Sequence, residues 1–160
     1  MPTTHFLLRI LLSTVVSVAG SFSLPALAAP AASPPLKESI AGTITNKFGI
    51  RDDVARYISA KKYSPAQTRA AQQEARAFQA LILSGATGKP TPGTVTTLIA
   101  LANHCLAAHF PENGPESVTA VRDNIAGLTA NTRERISAYT AYMKSISGGR
   151  SRPPEEDSCD

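Results

Sequence analysis

Hydrophobic residues recur at helical spacing along most of the chain, and no period-two alternation lasts long enough to mark a strand. Ile40, Ile44 and Phe48 step by four, which predicts a helix from Leu36 that ends at Gly49. Asp52 or Asp53 stands where it can cap a second, short helix with Val54, Tyr57 and Ile58 on one face. Ser64 followed by Pro65 is a stronger start signal. A serine hydroxyl can accept from a first-turn N–H, and proline at the first helical position lacks only an N–H that would be unpaired anyway. The run after it is rich in Ala, Gln, Glu and Arg, carries Ala71, Ala75, Phe78 and Ile82 at helical spacing, and has Gly85 as its expected stop. Gly85 to Gly93 reads as a connecting loop.

Thr91-Pro92 repeats the start signal, and Val95, Leu98, Ile99, Ala102, Cys105 and Leu106 make an apolar face that should end near Phe110, because Pro111 disfavours helix before it. After Pro115 come Val118, Val121, Ile125 and Leu128, then Ile136, Tyr139, Met143 and Ile146, with only Thr132 holding the phase between the two sets. This predicts one long kinked helix, or two with the break near Gly127 to Asn131; Asn131 and Glu134 are spaced as a capping box, and Gly148-Gly149 is the stop. The expected fold is all-α, a small bundle of four to six helices over residues 36–148, followed by a polar tail over 149–160.

The first 28 residues follow a different logic. Arg9 precedes an uncharged apolar stretch from Ile10 to Leu24, Pro25 breaks it, and Ala26-Leu27-Ala28 supplies small residues at a cleavage site. That is the layout of a secretory signal peptide over residues 1–28, with an Ala/Pro/Ser spacer over 29–35. Gly20, Pro25 and several serines make it a poor spanning helix, which wants roughly 18–20 cleanly apolar residues. Cleavage would leave 132 of the 160 residues and lower the formal charge from +4 to +3, because Arg9 is the only charged side chain removed. A charge that small is no nucleic-acid signature, and no stable membrane span is expected after cleavage. The composition also excludes collagen, a disulfide-dense mini-protein and a highly charged disordered tail.

Two cysteines in an exported chain read as one disulfide, Cys105 to Cys159, contributing about 3–4 kcal/mol by closing a long loop. No Asn-x-Ser/Thr sequon occurs, which favours a bacterial periplasm over a eukaryotic secretory route, with an extracellular destination as the second choice. Asn103-His104-Cys105 with His109 is the densest group of chemically able side chains, and Cys105 and His109 share a helix face. It can be read as a half-buried disulfide with two histidines at its rim, or as a metal site or Cys/His nucleophile. Zinc wants three or four ligands, and no further Cys-x-x-Cys or His-x-x-x-His supplies them. Ser59-Ala60-Lys61-Lys62 spells Ser-x-x-Lys without its partner motifs, and Gly85-Ala86-Thr87-Gly88-Lys89 has the wrong spacing for a phosphate loop. No cofactor motif is present. Arg51, Arg56, Lys61, Lys62, Arg69 and Arg76 cluster in sequence as a basic face, either solvated or for docking an acidic partner.

Tyr63-Ser64-Pro65-Ala66-Gln67 and Leu128-Thr129-Ala130-Asn131-Thr132 resemble, loosely, the Leu-Thr-x-x-Gln repeats of small helical periplasmic chaperones and stress adaptors. Tyr-Ser stands for Leu-Thr in the first and Thr132 for Gln in the second, and this chain is poorer in charge and methionine. The leading expectation is an exported, non-enzymatic module that binds another exported protein, by analogy of class with immunity proteins that block secreted toxins. A periplasmic chaperone or stress adaptor is the second reading, and a small enzyme or metal binder centred on Cys105 and His109 is the third.

Overall fold

A computed structural model of the chain describes residues 39–147 and Cys159. Five helices form an all-α bundle: α1 (Asp52–Ala60), α2 (Pro65–Thr87), α3 (Pro92–His109), α4 (Val118–Thr129) and α5 (Arg133–Ser145). Cys105 and Cys159 are joined by a disulfide. The expected signal peptide, the spacer, the Gly148-Gly149 stop and the tail other than Cys159 lie outside the described residues.

Polar caps set the helix starts. Ser64 Oγ accepts from Gln67 N at 3.2 Å while Gln67 Oε1 accepts from Ser64 N at 3.0 Å, a complete capping box ahead of Pro65. Thr91, Ser117 and Thr132 cap α3, α4 and α5 with single side-chain bonds.

The long helix α2 is the spine and touches the other four. Around its first half, Ala70, Ala71 and Ala75 pack with Ile50, Val54 and Ile58 of the α1 region, Cys105, Leu106 and Phe110 of the α3 end, and Val118, Val121 and Ile125 of α4. Around its second half, Leu81 and Ile82 pack with Val95 of α3 and with Ala138 and Tyr142 of α5. Phe78 sits against both cores. The buried alanines let backbones approach closely, which is how a short chain buries so long a helix.

Five expectations are corrected. Residues 39–50 form turns, bends and irregular backbone rather than a helix. A helix there would use its own carbonyls internally. Instead the carbonyls of Ser39 and Ile40 accept from Arg135 at 2.9 and 3.1 Å, and that of Ala41 accepts from Gln79 Nε2 at 2.9 Å. Gly42, at φ +71°, turns the chain under Arg51, where a Cβ would lie 2.8 Å from Arg51 Cδ. Second, neither aspartate caps α1: Arg51 occupies the N-cap position without a side-chain bond, and Asp52 and Asp53 sit in the first turn.

Third, Gly85 does not stop α2, which runs on to Thr87 and is closed by Gly88 in the left-handed conformation. A Cβ on Gly85 would lie 1.9 Å from the carbonyl oxygen of Ala138, so this glycine is where α2 and α5 meet backbone to backbone. Fourth, the segment after Pro115 is two helices, as one of the two expectations had it, but Thr132 caps the second and Asn131 does not. The α5 face is also turned from the expected one. Arg135, Ala138 and Tyr142 are buried, while Ile136 is 55% and Met143 42% exposed.

Asn131 has another task. Its Oδ1 accepts from Arg135 Nη1 at 2.8 Å and from Arg51 Nη2 at 3.3 Å, and Arg51 Nη1 donates to Thr129 O at 2.9 Å. Arg51 also pairs with Asp53. Both arginines are 1% exposed, so each guanidinium is held by bonds that replace its lost water.

Two glycine-to-alanine changes should have opposite signs. Gly85→Ala should cost about 3 kcal/mol by forcing α2 and α5 apart. Gly127→Ala, with open space at its Cβ, should add about 0.5 kcal/mol through helix propensity. Urea midpoints decide, and equal signs would refute the close contact. Arg135→Met should cost about 1–3 kcal/mol by leaving the part-buried carbonyls of Ser39 and Ile40 without their donor. Amide exchange should then speed up over residues 39–46 more than in α2.

Candidate functional site

The densest chemistry lies at the end of α3. Cys105 is fully buried in the last turns of the helix, and His109, its final residue, is half-buried. The sulfurs of Cys105 and Cys159 and a ring nitrogen of His109 all lie within 4.8 Å of one another. The disulfide spans 54 positions of sequence and has the expected pairing. Gln67 Nε2 donates to the His109 carbonyl at 3.1 Å, so the α2 cap also fixes the end of α3. His104 is exposed, and Asn103, half-buried, has a side-chain oxygen with no hydrogen-bond partner.

Beside this end is a cleft of about 240 Å³, walled by Lys61, Tyr63, Glu116 and Gln67 over Phe110 and Pro115. Glu116 accepts from Lys61 Nζ at 3.1 and 3.2 Å and from Tyr63 Oη at 2.9 Å. Partial burial pushes the Glu116 carboxyl up, but the bonds from Lys61 and Tyr63 outweigh it and hold the pKa below the usual value. Burial, helped by Glu116, raises the Tyr63 phenol, so it stays a donor across the ordinary pH range. The Tyr63 ring stands edge-on to Phe110 with centroids 5.0 Å apart. This arrangement ties the α1–α2 loop to the start of α4, and its donors and acceptors are already used on one another.

The six residues of the expected basic face differ in exposure. Arg56, Lys62 and Arg69 are exposed, and Arg76 is half-buried. Lys61 is committed to Glu116. Arg51 is inside the protein, bonded to Asp53, Thr129 and Asn131, and shows no charge to a partner.

Sequence reasoning missed Glu74. It is 1% exposed on α2, and neither carboxylate oxygen has a hydrogen-bond partner. Its only ionic neighbour among the described residues is Arg122 of α4, whose Nε is 3.5 Å away. Burial pushes the Glu74 pKa up from the ordinary 4.5 to about 7, against the opposing pull of Arg122. A signal was present: Glu74 lies three residues after Ala71 and four before Phe78, on the apolar face itself. Glutamate entered the reading of that run only as a good helix former.

Below the unfolded pKa of about 4.5 the carboxyl is neutral in both states and costs nothing extra. As pH rises through 7 the unfolded chain is ionised while the folded chain gives up its proton only against burial, so stability falls between those limits. Glu74→Gln should match the parent near pH 4.5 and exceed it at pH 8, by up to about 3 kcal/mol. Parallel stability–pH curves for the two proteins would rule this out.

Among the described residues, no helix is long and apolar enough to cross a membrane. No protein-family model, curated protein or solved structure matches the chain.

Proposed function

We propose that the protein is an exported, non-enzymatic module that docks another exported protein, of the kind an immunity or inhibitor protein represents. One observation carries this reading: the outward face of α5. Ile136 and Met143, two helical turns apart, are 55% and 42% exposed, with half-buried Tyr139 between them. Arg133, Glu134, Thr140 and Lys144 are exposed around them. An apolar strip with a polar rim on a rigid helix is the layout of a helix-in-groove contact. The exposed cations Arg56, Lys62 and Arg69 would steer an acidic partner and make capture salt-sensitive. A chaperone would use the same apolar strip less selectively, so the strip supports that second reading too.

The test is capture from envelope extract with the purified protein as bait. A single partner should be retained at near-stoichiometric yield, and Ile136→Asp with Met143→Asp should reduce its retention at least tenfold with the helical circular dichroism unchanged. Retention that is indifferent to the double substitution, or turnover of a cell-wall substrate by the protein alone, would sink the reading. Suppression of aggregation of an unrelated unfolded client would transfer support to the chaperone.

A further inference from the structure

We propose that reduction of the Cys105–Cys159 disulfide opens a cation site with two thiolates and the His109 imidazole as ligands, suited to a borderline-soft divalent ion such as Zn²⁺. The three ligand atoms already lie within 4.8 Å of one another. Zinc with sulfur at about 2.3 Å and nitrogen at about 2.0 Å needs ligand atoms roughly 3.5–3.8 Å apart in a tetrahedron, a spacing the cluster can reach once the bonded sulfurs part. Cys105 and His109 are one turn apart on α3 and therefore keep their spacing whatever the disulfide does. Only Cys159, separated from Ser147 by eleven residues of sequence, has to shift when the sulfurs part.

The surroundings suit a cation. The site is in the last turn of α3, where the helix presents its partial negative charge. Cys105 is fully buried and its two partners half-buried, so one side is closed by protein and the other is open to solvent. Three protein ligands and one water complete a four-coordinate ion, as in open zinc sites. Two thiolates and an imidazole favour zinc-like ions over the oxygen-seeking Mg²⁺ and Ca²⁺.

The chemistry balances with an external dithiol as reductant. It supplies two electrons and two protons, its own sulfurs join, the Cys105–Cys159 bond breaks, and two thiols result. The arriving ion then displaces both thiol protons. The oxidised protein has no thiolate to offer, so binding is gated by redox state. This gate is independent of the α5 docking face, because it involves neither Ile136 nor Met143.

Cobalt, as a spectroscopic stand-in for zinc, provides the test. The full chain is reduced with a dithiol, freed of it without oxygen, and titrated with Co²⁺. The expected result is a thiolate-to-cobalt charge-transfer band that saturates at one ion per chain and is abolished by Zn²⁺. The oxidised chain should give none. His109→Ala should weaken binding by about tenfold or more, whereas His104→Ala, on the neighbouring exposed residue, should leave it unchanged. The proposal fails if the reduced chain shows no band, if His109→Ala binds as tightly as the parent, or if reduction abolishes the helical circular dichroism and Zn²⁺ does not restore it.

Discussion

Because Gly85 carries no side chain, the backbone of α2 lies directly against the Ala138 carbonyl of α5. That contact fixes both the distance and the rotation of α5. With Ala138 turned inward, Arg135 and Tyr142 follow it into the protein one turn before and one turn after, and Ile136 and Met143 are turned out. Tyr142 then reaches Thr96 of α3 at 3.0 Å, while Arg135 reaches the carbonyls of residues 39 and 40. The path of residues 39–41 and the outward face of α5 thus both follow from one missing methyl group.

The parts of this fold legible in the sequence are those governed by neighbours along the chain. Ser64 and Thr91 announce helix starts through bonds to residues three positions away, each followed by a proline at the first helical position, and those starts are where they were expected. What stayed hidden depends on residues far apart. The segment with Ile40, Ile44 and Phe48 has helical spacing, but its carbonyls are taken by Gln79 and Arg135, about 40 and 95 positions later. Gly85 looks like a stop because local rules cannot see Ala138. At the candidate site, the pairing of Cys105 with Cys159 followed from counting cysteines, whereas the displacement of Arg51 from a surface face to the interior did not. Arginine is read as exposed unless its partners are known, and Thr129 and Asn131 are nearly 80 residues away.

Two ways of burying charge coexist around α2. At one end Arg51 and Arg135 are fully supplied with carbonyl, amide and carboxylate acceptors, and the network stitches the 39–43 segment to the α4–α5 turn. In the middle, Glu74 has a long contact to Arg122 and little else. The first arrangement resists change because every group depends on several others. The second is a local weak point whose charge can be removed without breaking hydrogen bonds of its own.

The disulfide also changes what the covalent chain is. From residue 105 to residue 159 it is a closed ring, and that ring holds α4, α5 and both connections around them, while α1, α2 and most of α3 form a linear arm entering it. A peptide bond cut inside the ring opens a loop but leaves one covalent molecule, whereas a cut in the arm leaves two covalent pieces held only by packing. A protease nick in the 111–117 or 130–132 connection therefore leaves a single molecule with its helices still held together, and it shows as two pieces only after the sulfurs are reduced.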